Sequence, residues 1–490
     1  MATNSAINTQ SVVTVPKGGT GAATFTDHGV LVGSGTGVIT ALSVGTDGQA
    51  ILGSTGADPV AATIASAGGT VTFTPGAGTL NIEADEGDIL DWTAITVPDY
   101  YVAVNNGYLV NKATEVNVIL PTTSSVGDII AVSNIGAGLC RISKNYGQSF
   151  YLDTDDADGD ANYLTFDDQY GEAELICTTA DTTWVTRKSI GAFTLGTATE
   201  PDTFTARTSG FTADTVRNVA YDGSSTWVSV GDQGKLATAT DPTGTWTLRT
   251  SSFGTDVIQD VAYDGISTWL AVGEDTKIAT ATDPTGTWTQ RTSNFVTTDV
   301  RSCAYGNGVW VIVGDDGQLA TATDPTGTWT LRTSSFSTTQ INGVFYGNGV
   351  WVAVGGSQKL ATATDPTGTW TQRTSGFTAG QAVVDIAYGG GLWVAVGDNG
   401  EMTTAPDPTS TWTVRTSSFD TTDINRVHYS SNIFVAVADG AKLATAVDPT
   451  GTWTQQTSGF TADIIYGVAS KAGLTVAVGA AAKLTTGVTA

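Results

Sequence analysis

The sequence predicts an all-β chain: a Gly/Thr-rich N-terminal segment, a β-rich middle domain and a C-terminal seven-bladed β-propeller. Three observations carry that expectation. The 490 residues hold 59 Gly but only 14% charged residues, 2 Met and 2 His, a balance suited to β-branched strands and glycine turns. A motif of about 41 residues recurs after residue 204. Each copy divides into four short apolar runs bounded by Gly, Asp, Ser or Pro.

The repeat sets the architecture. One copy, starting at Trp246, reads WTLRTSSFGTDVIQDVAYDGISTWLAVGEDTKIATATDPTG. Its proline marks the period at Pro201, Pro242, Pro284, Pro325, Pro366, Pro408 and Pro449, in steps of 41 or 42. That period, with four strands inside it, is the signature of a propeller blade. Strand A is VAY, strand B WLAVG, strand C KIATAT and strand D WTLRTS. Strand B is apolar or small throughout, as a strand packed on both faces should be. Recurring tryptophans, such as Trp269 on B and Trp246 on D, are expected to fill the space between blades.

Strand B occurs seven times, the last at 475–479, and the seventh strand C runs to the final residue, Ala490. The seventh blade therefore lacks its own strand D. FTARTS, starting at Phe204, matches WTLRTS and precedes the first strand A. It is expected to supply that outer strand and so cover an edge that would otherwise template aggregation.

The turn between C and D reads TDPTGTW. It resembles the Asp box of sialidase-type propellers, with Ala239 and its equivalents where Ser or Thr is usual. The resemblance implies a framework role for Asp241, Asp283, Asp324, Asp365, Asp407 and Asp448, their carboxylates binding backbone N–H groups in the turn.

Two stretches precede the ring. Residues 1–87 contain PKGGTGAATFTDHGVLVGSGTG and GTDGQAILGSTGADP, which resemble a Gly/Thr-rich module of phage tail fibres. Residues 88–191 contain NNGYLVNKATEVNVILPTTSSVGDIIAVSNIGAGLCRISKNYGQSF and GEAELICTTADTTWVT. These resemble a β-domain of such fibres, and VNVILP, DIIAVSN and ELICTT read as strands. The resemblance implies a homotrimer joined to a virion tail or baseplate protein through its N-terminal segment, with residues 192–490 as a distal propeller. It places the protein in the virion, after assembly in the host cytoplasm.

Other classes are set aside. A formal net charge of −26 repels phosphate backbones and anionic lipid, so neither nucleic acid nor membrane insertion is expected. No apolar run reaches spanning length, and the first residues show no secretion signal. Cys140, Cys177 and Cys303 read as buried free thiols, a Cys140–Cys177 bridge being the alternative. No zinc spacing occurs and no cofactor is expected. DTDDADGDANY, residues 153–163, places five carboxylates within eight residues. Its spacing departs from the EF-hand rule, so a solvated acidic loop is expected rather than a Ca²⁺ site.

Function should lie where the copies differ. The two leading positions of strand A vary most, giving Arg217, Asn218, Gln259, Asp260, Arg301, Asn342, Asp385, Arg426 and Tyr466 as candidate ligand-binding residues. Polar groups converging on an axial mouth suit a hydroxyl-rich glycan, or a surface protein, of the host. A water-filled channel is the alternative. Asp232, Glu274, Asp275, Asp315, Asp316, Asp398 and Asp439 in the B–C turns are expected on the same face. The arginines, Asp260, Asp385 and Tyr466 also match the residue types of a sialidase site, but the Phe/Tyr-Arg-Ile-Pro motif is absent and that family has six blades. The expected function is non-enzymatic host attachment, with a glycan-degrading tail enzyme or a structural virion protein as alternatives.

Overall fold

A computed structural model describes residues 90–490 apart from 98, 146, 152–160, 167–168, 192–193, 197–199, 202, 297, 472 and 489–490. In residues 1–89 it describes the backbone of six strands. These pair as antiparallel hairpins: Val30–Val32 with Thr40–Leu42, Gln49–Ser54 with Ala57–Thr63, and Val71–Gly76 with Thr79–Ala84. Met1–Ile89 form one compact unit and Leu90–Ala490 another. The acidic stretch weighed above as a Ca²⁺ loop falls mostly on 152–160, outside the described residues.

The second unit opens with two mixed sheets. One has five strands in the order Thr194–Gly196, Tyr163–Phe166, Cys140–Ser143, Val116–Ile119 and Asp99–Tyr101. The other has six: Ser149–Tyr151, Thr183–Ile190, Gly171–Thr179, Ile129–Asn134, Asn106–Val110 and Asp91–Ile95. Val118, Ile142 and Leu164 from the first sheet share a core with Val110, Ile130, Leu175 and Trp184 from the second. Alternation along Gly171–Cys177 places Ala173, Leu175 and Cys177 inward, which is why that strand forms here. The five-stranded sheet reaches past residue 191, because Thr194–Gly196 pairs with Tyr163–Phe166.

The remaining residues form seven four-stranded antiparallel sheets, the blades. Their inner strands are Val216–Tyr221, Ile258–Tyr263, Val300–Gly306, Ile341–Gly347, Val383–Gly389, Ile424–Ser430 and Ile465–Lys471. The seventh sheet takes its outermost strand from Phe204–Thr208, which pairs antiparallel with Lys483–Val488. Each core is shared between neighbours. Val228, Val230 and Leu236 of blade 1 pack with Ile258, Trp269 and Trp288 of blade 2. Blade 7 packs on blade 1 the same way, through Val476 and Val478 against Val219 and Trp227. Burying one such large side chain contributes roughly 1.5–3 kcal/mol.

The Asp-box turns are structural. Asp283 Oδ1 accepts the Thr285 backbone N–H at 2.9 Å and the Thr285 hydroxyl at 2.7 Å. The Trp288 indole N–H donates to the Pro284 carbonyl at 3.1 Å. Equivalent bonds recur at Asp241, Asp324, Asp365, Asp407 and Asp448. The three cysteines are buried and free.

Candidate functional site

One local irregularity decides where the variable residues go. Every inner strand carries a β-bulge between its first and third residues, as between Val216 and Asn218. The extra residue is left out of the ladder and its side chain is re-aimed. The nine candidate residues therefore do not share one mouth. They split into two groups.

Arg217, Gln259, Arg301, Asn342 and Tyr466 occupy bulge positions, at the end of the ring that carries the B–C turns. Arg217 Nε donates to Asp232 Oδ1 at 2.7 Å, and its guanidinium lies 4.9 Å from the centre of the Tyr466 ring. Arg301 pairs with Asp315 of its own blade. Asn342 accepts from Gln340 at 2.8 Å and donates to the Val383 carbonyl at 3.0 Å. Asn425 likewise donates to Asp439 at 2.8 Å. Asp232, Asp315 and Asp439 thus meet bulge residues on one face.

Asn218, Asp260, Asp385 and Arg426 sit one position further along their strands and line a cavity of about 730 Å³ inside the ring. Arg426 Nη1 stands 3.8 Å from Asp385 and Nη2 stands 3.9 Å from Asp260. Asp260 accepts from the Asn218 amide and, at 3.1 Å, from the Cys303 N–H. Asp385 accepts the Val427 N–H at 2.9 Å. Burial pushes the Asp385 carboxyl up to about 6, against the pull of Arg426 and the N–H groups of Val427 and Ile386. Arg426 is therefore remote in role from Arg217 and Arg301, which are paired on the open face. The three arginines do not line one pocket.

The other end of the cavity belongs to the two-sheet domain. Asp99, Thr114, Glu115 and Asn117 line it there. That domain rests on the A–B hairpins of the ring: Asn432 donates to the Asn162 carbonyl at 2.8 Å, and the Tyr101 and Tyr388 rings lie 5.6 Å apart. Asn117 donates to Asp99 at 3.1 Å, and burial raises the Asp99 carboxyl above its usual range despite that bond.

Several cavity residues escape sequence reasoning. His428 lines it, and burial lowers its imidazole to about 4. The repeat has Ala220, Ala262, Ala304, Phe345, Ala387 and Ala469 at that position, so the departure was a usable signal. Tyr221, Tyr263, Tyr305 and Tyr346, the constant tyrosines of the VAY strand, also line it. Nothing in the repeat pointed to Asp99 or Asn117. Among the described residues no cluster of His, Cys, Asp and Glu could hold a metal ion, and no helix is long and apolar enough to cross a membrane.

No protein-family model matches the chain, and no curated protein matches it. Solved structures do resemble it. YCF48 bound to D1 peptide aligns with a TM-score of 0.50 at 18% identity, over 60% of this chain and 97% of that one. YCF48 from Cyanidioschyzon merolae aligns at 0.49 and 14% identity, over 58% and 98%. The WD40 β-propeller domain of Doa1 aligns at 0.48 and 14%, over 59% and 96%. The likeness to the first defines the class of fold, a β-propeller, and this chain builds it with seven blades.

Proposed function

We propose that this chain is a phage tail-fibre protein that attaches to the host cell surface through its propeller, without catalysing a reaction. The observation that carries the reading is the division of the ring's two ends. The two-sheet domain rests on the A–B hairpins, whereas the end with the B–C turns carries the bulge residues, which vary from blade to blade. That end of the ring presents Arg217, Gln259, Arg301, Asn342 and Tyr466. Their donors and acceptors suit a surface glycan or a polar protein epitope. The motifs before the ring support the fibre assignment, with residues 1–87 joining the virion and three copies assembling on one stalk. Three rings would turn weak single-site binding into firm attachment through effective concentration.

The test uses the full chain, fluorescently labelled, on a panel of bacterial strains. Saturable binding to one strain, weakened in an Arg217→Ala/Arg301→Ala variant of unchanged melting temperature, is the expected result. A sedimentation mass of three times 50.3 kDa is expected alongside it. Reducing sugar released from the bound strain would instead make the protein an enzyme. No strain bound by a confirmed trimer would leave a structural role in the virion.

A further inference from the structure

The axial cavity is a second place where this ring can hold a ligand, independent of the open face. Its floor combines fixed acceptors with unused donors. Arg426 Nε has no hydrogen-bond partner among the described residues, and its terminal nitrogens stand 3.8 and 3.9 Å from the nearest carboxylates. Those separations exceed a hydrogen bond, so the guanidinium lies between two acceptors without bonding to either. Asp260 and Asp385 are held in place by the Cys303 and Val427 N–H groups, at 3.1 and 2.9 Å. Both keep lone pairs to spare.

The walls are aromatic and braced. Tyr221, Tyr263, Tyr305 and Tyr346 each lean on the tryptophan of strand B in their own blade, with ring centres 4.6, 4.8, 5.1 and 5.0 Å apart. Asp99 and Asn117 complete the far end, Asn117 being fixed by the Ser143 hydroxyl at 2.5 Å.

This lining selects a ligand by elimination. An anion that reached Arg426 would face Asp260 and Asp385 beside it, with Asp99, Asp222 and Glu115 outnumbering the one lysine of the lining, Lys471, whose ammonium lies 5.3 Å from the centre of the Tyr221 ring. A cation that reached the aspartates would meet the guanidinium between them. A neutral hydroxyl meets neither obstacle: its oxygen accepts from Arg426 while its proton goes to a carboxylate. Tyrosine rings suit the C–H faces of a pyranose. The volume, about 730 Å³, falls within the range of small-molecule sites. We propose that the cavity binds a short neutral saccharide, with Arg426, Asp260 and Asp385 holding its hydroxyls.

Isothermal titration calorimetry on the full chain tests this. The probes are free mono- and disaccharides of glucose, galactose, mannose and N-acetylglucosamine, with glucuronate and glucosamine as charged controls. Saturable binding of a neutral sugar is expected, in preference to both controls. Arg426→Gln should weaken it by at least about tenfold, as loss of a charged hydrogen bond does. Tyr305→Leu leaves the charged floor intact and should also weaken binding, which covers the case in which the arginine variant fails to fold. Val414→Ala, on an exposed outer strand away from both ends of the ring, should leave the affinity unchanged. The proposal is overturned if no free neutral sugar binds, if a charged control binds more tightly, or if Tyr305→Leu has no effect. Binding of polymer-borne glycan alone would place the site elsewhere and overturn it equally.

Discussion

The Tyr346 ring of blade 4 occupies the space that a side chain on Gly306 of blade 3 would need: a Cβ there would lie 2.2 Å from Tyr346 Cγ. Gly347 stands in the same relation to Tyr388, and Gly389 to Tyr429. These glycines let blades 3, 4 and 5 each close on the next, whereas the other blades carry Asp222, Asp264, Ser430 and Lys471 at that position. Gly308, two residues on, serves a different need. It follows Asn307 in a two-residue hairpin turn, with φ of 79° and 47°, and has nothing within 4 Å of its missing Cβ.

The two glycines should therefore respond differently to alanine. Gly306→Ala displaces a packed ring and should cost about 1–3 kcal/mol, as overpacking does. Gly308→Ala meets only the left-handed backbone penalty, about 1 kcal/mol. Urea denaturation midpoints compare them. Equal losses would mean that blade contact does not constrain Gly306.

The strand that precedes the ring should matter to the ring's stability. Phe204 is 2% exposed, lies opposite Gly487 in the seventh sheet, and packs with Val435, Ile465 and Val468. Phe204→Ala should cost about 3–5 kcal/mol, the usual result of emptying a core aromatic site. It should also speed proteolysis within residues 465–490. Wild-type resistance in that variant would show that the seventh sheet does not depend on its outer strand.

Repetition made much of this fold legible. The proline period located the blades, and the all-apolar strand B identified surfaces packed on both sides. The same repetition hid the cavity. Tyr263 and Tyr305 belong to the constant VAY run, outside the variable positions from which candidates were drawn, yet they line it. The bulge was invisible because it changes no residue type. Without it Arg217 and Asn218 read as neighbours at one mouth, whereas one faces Asp232 and the other Asp260. Asp99 could not be placed, because only tertiary packing brings residues so distant in sequence to the ring's axis.

The thiols should be inert in the folded chain. Burial raises the Cys140 and Cys303 thiols well above their ordinary range, so little nucleophilic thiolate forms. Cys177 is buried against Ser124, with 3.3 Å between Sγ and Oγ. A maleimide reagent at pH 7.5 should label none of the three within an hour and all three in guanidinium chloride. Two labelled sites in denaturant without reductant would instead indicate a free thiol masked by modification.

Asp385 and His428 should give opposite contributions to the pH dependence of stability. The Asp385 carboxyl titrates near 6 in the fold against an ordinary 3.8, because burial disfavours its charge. Between those values the folded state binds more protons than the unfolded one, so this residue makes stability fall as pH rises. His428 titrates near 4 against an ordinary 6.5, again through burial, with Arg426 adding to the effect. Here the unfolded state binds more protons, so its contribution is complete above 6.5 and is lost as pH falls through 4. Each shift corresponds to about 3 kcal/mol, and over the shared window they nearly cancel. Asp385→Asn keeps an acceptor for the Val427 N–H and removes the falling component. The variant should gain stability with pH between about 4 and 6.5, and exceed wild type at pH 7.5 by up to about 3 kcal/mol. His428→Phe copies Phe345, which blade 4 has at the same position, and should show the reverse slope. Urea midpoints from pH 4.5 to 7.5 measure both. Profiles parallel to wild type in the two variants would mean that neither group is held in its shifted state by the ring.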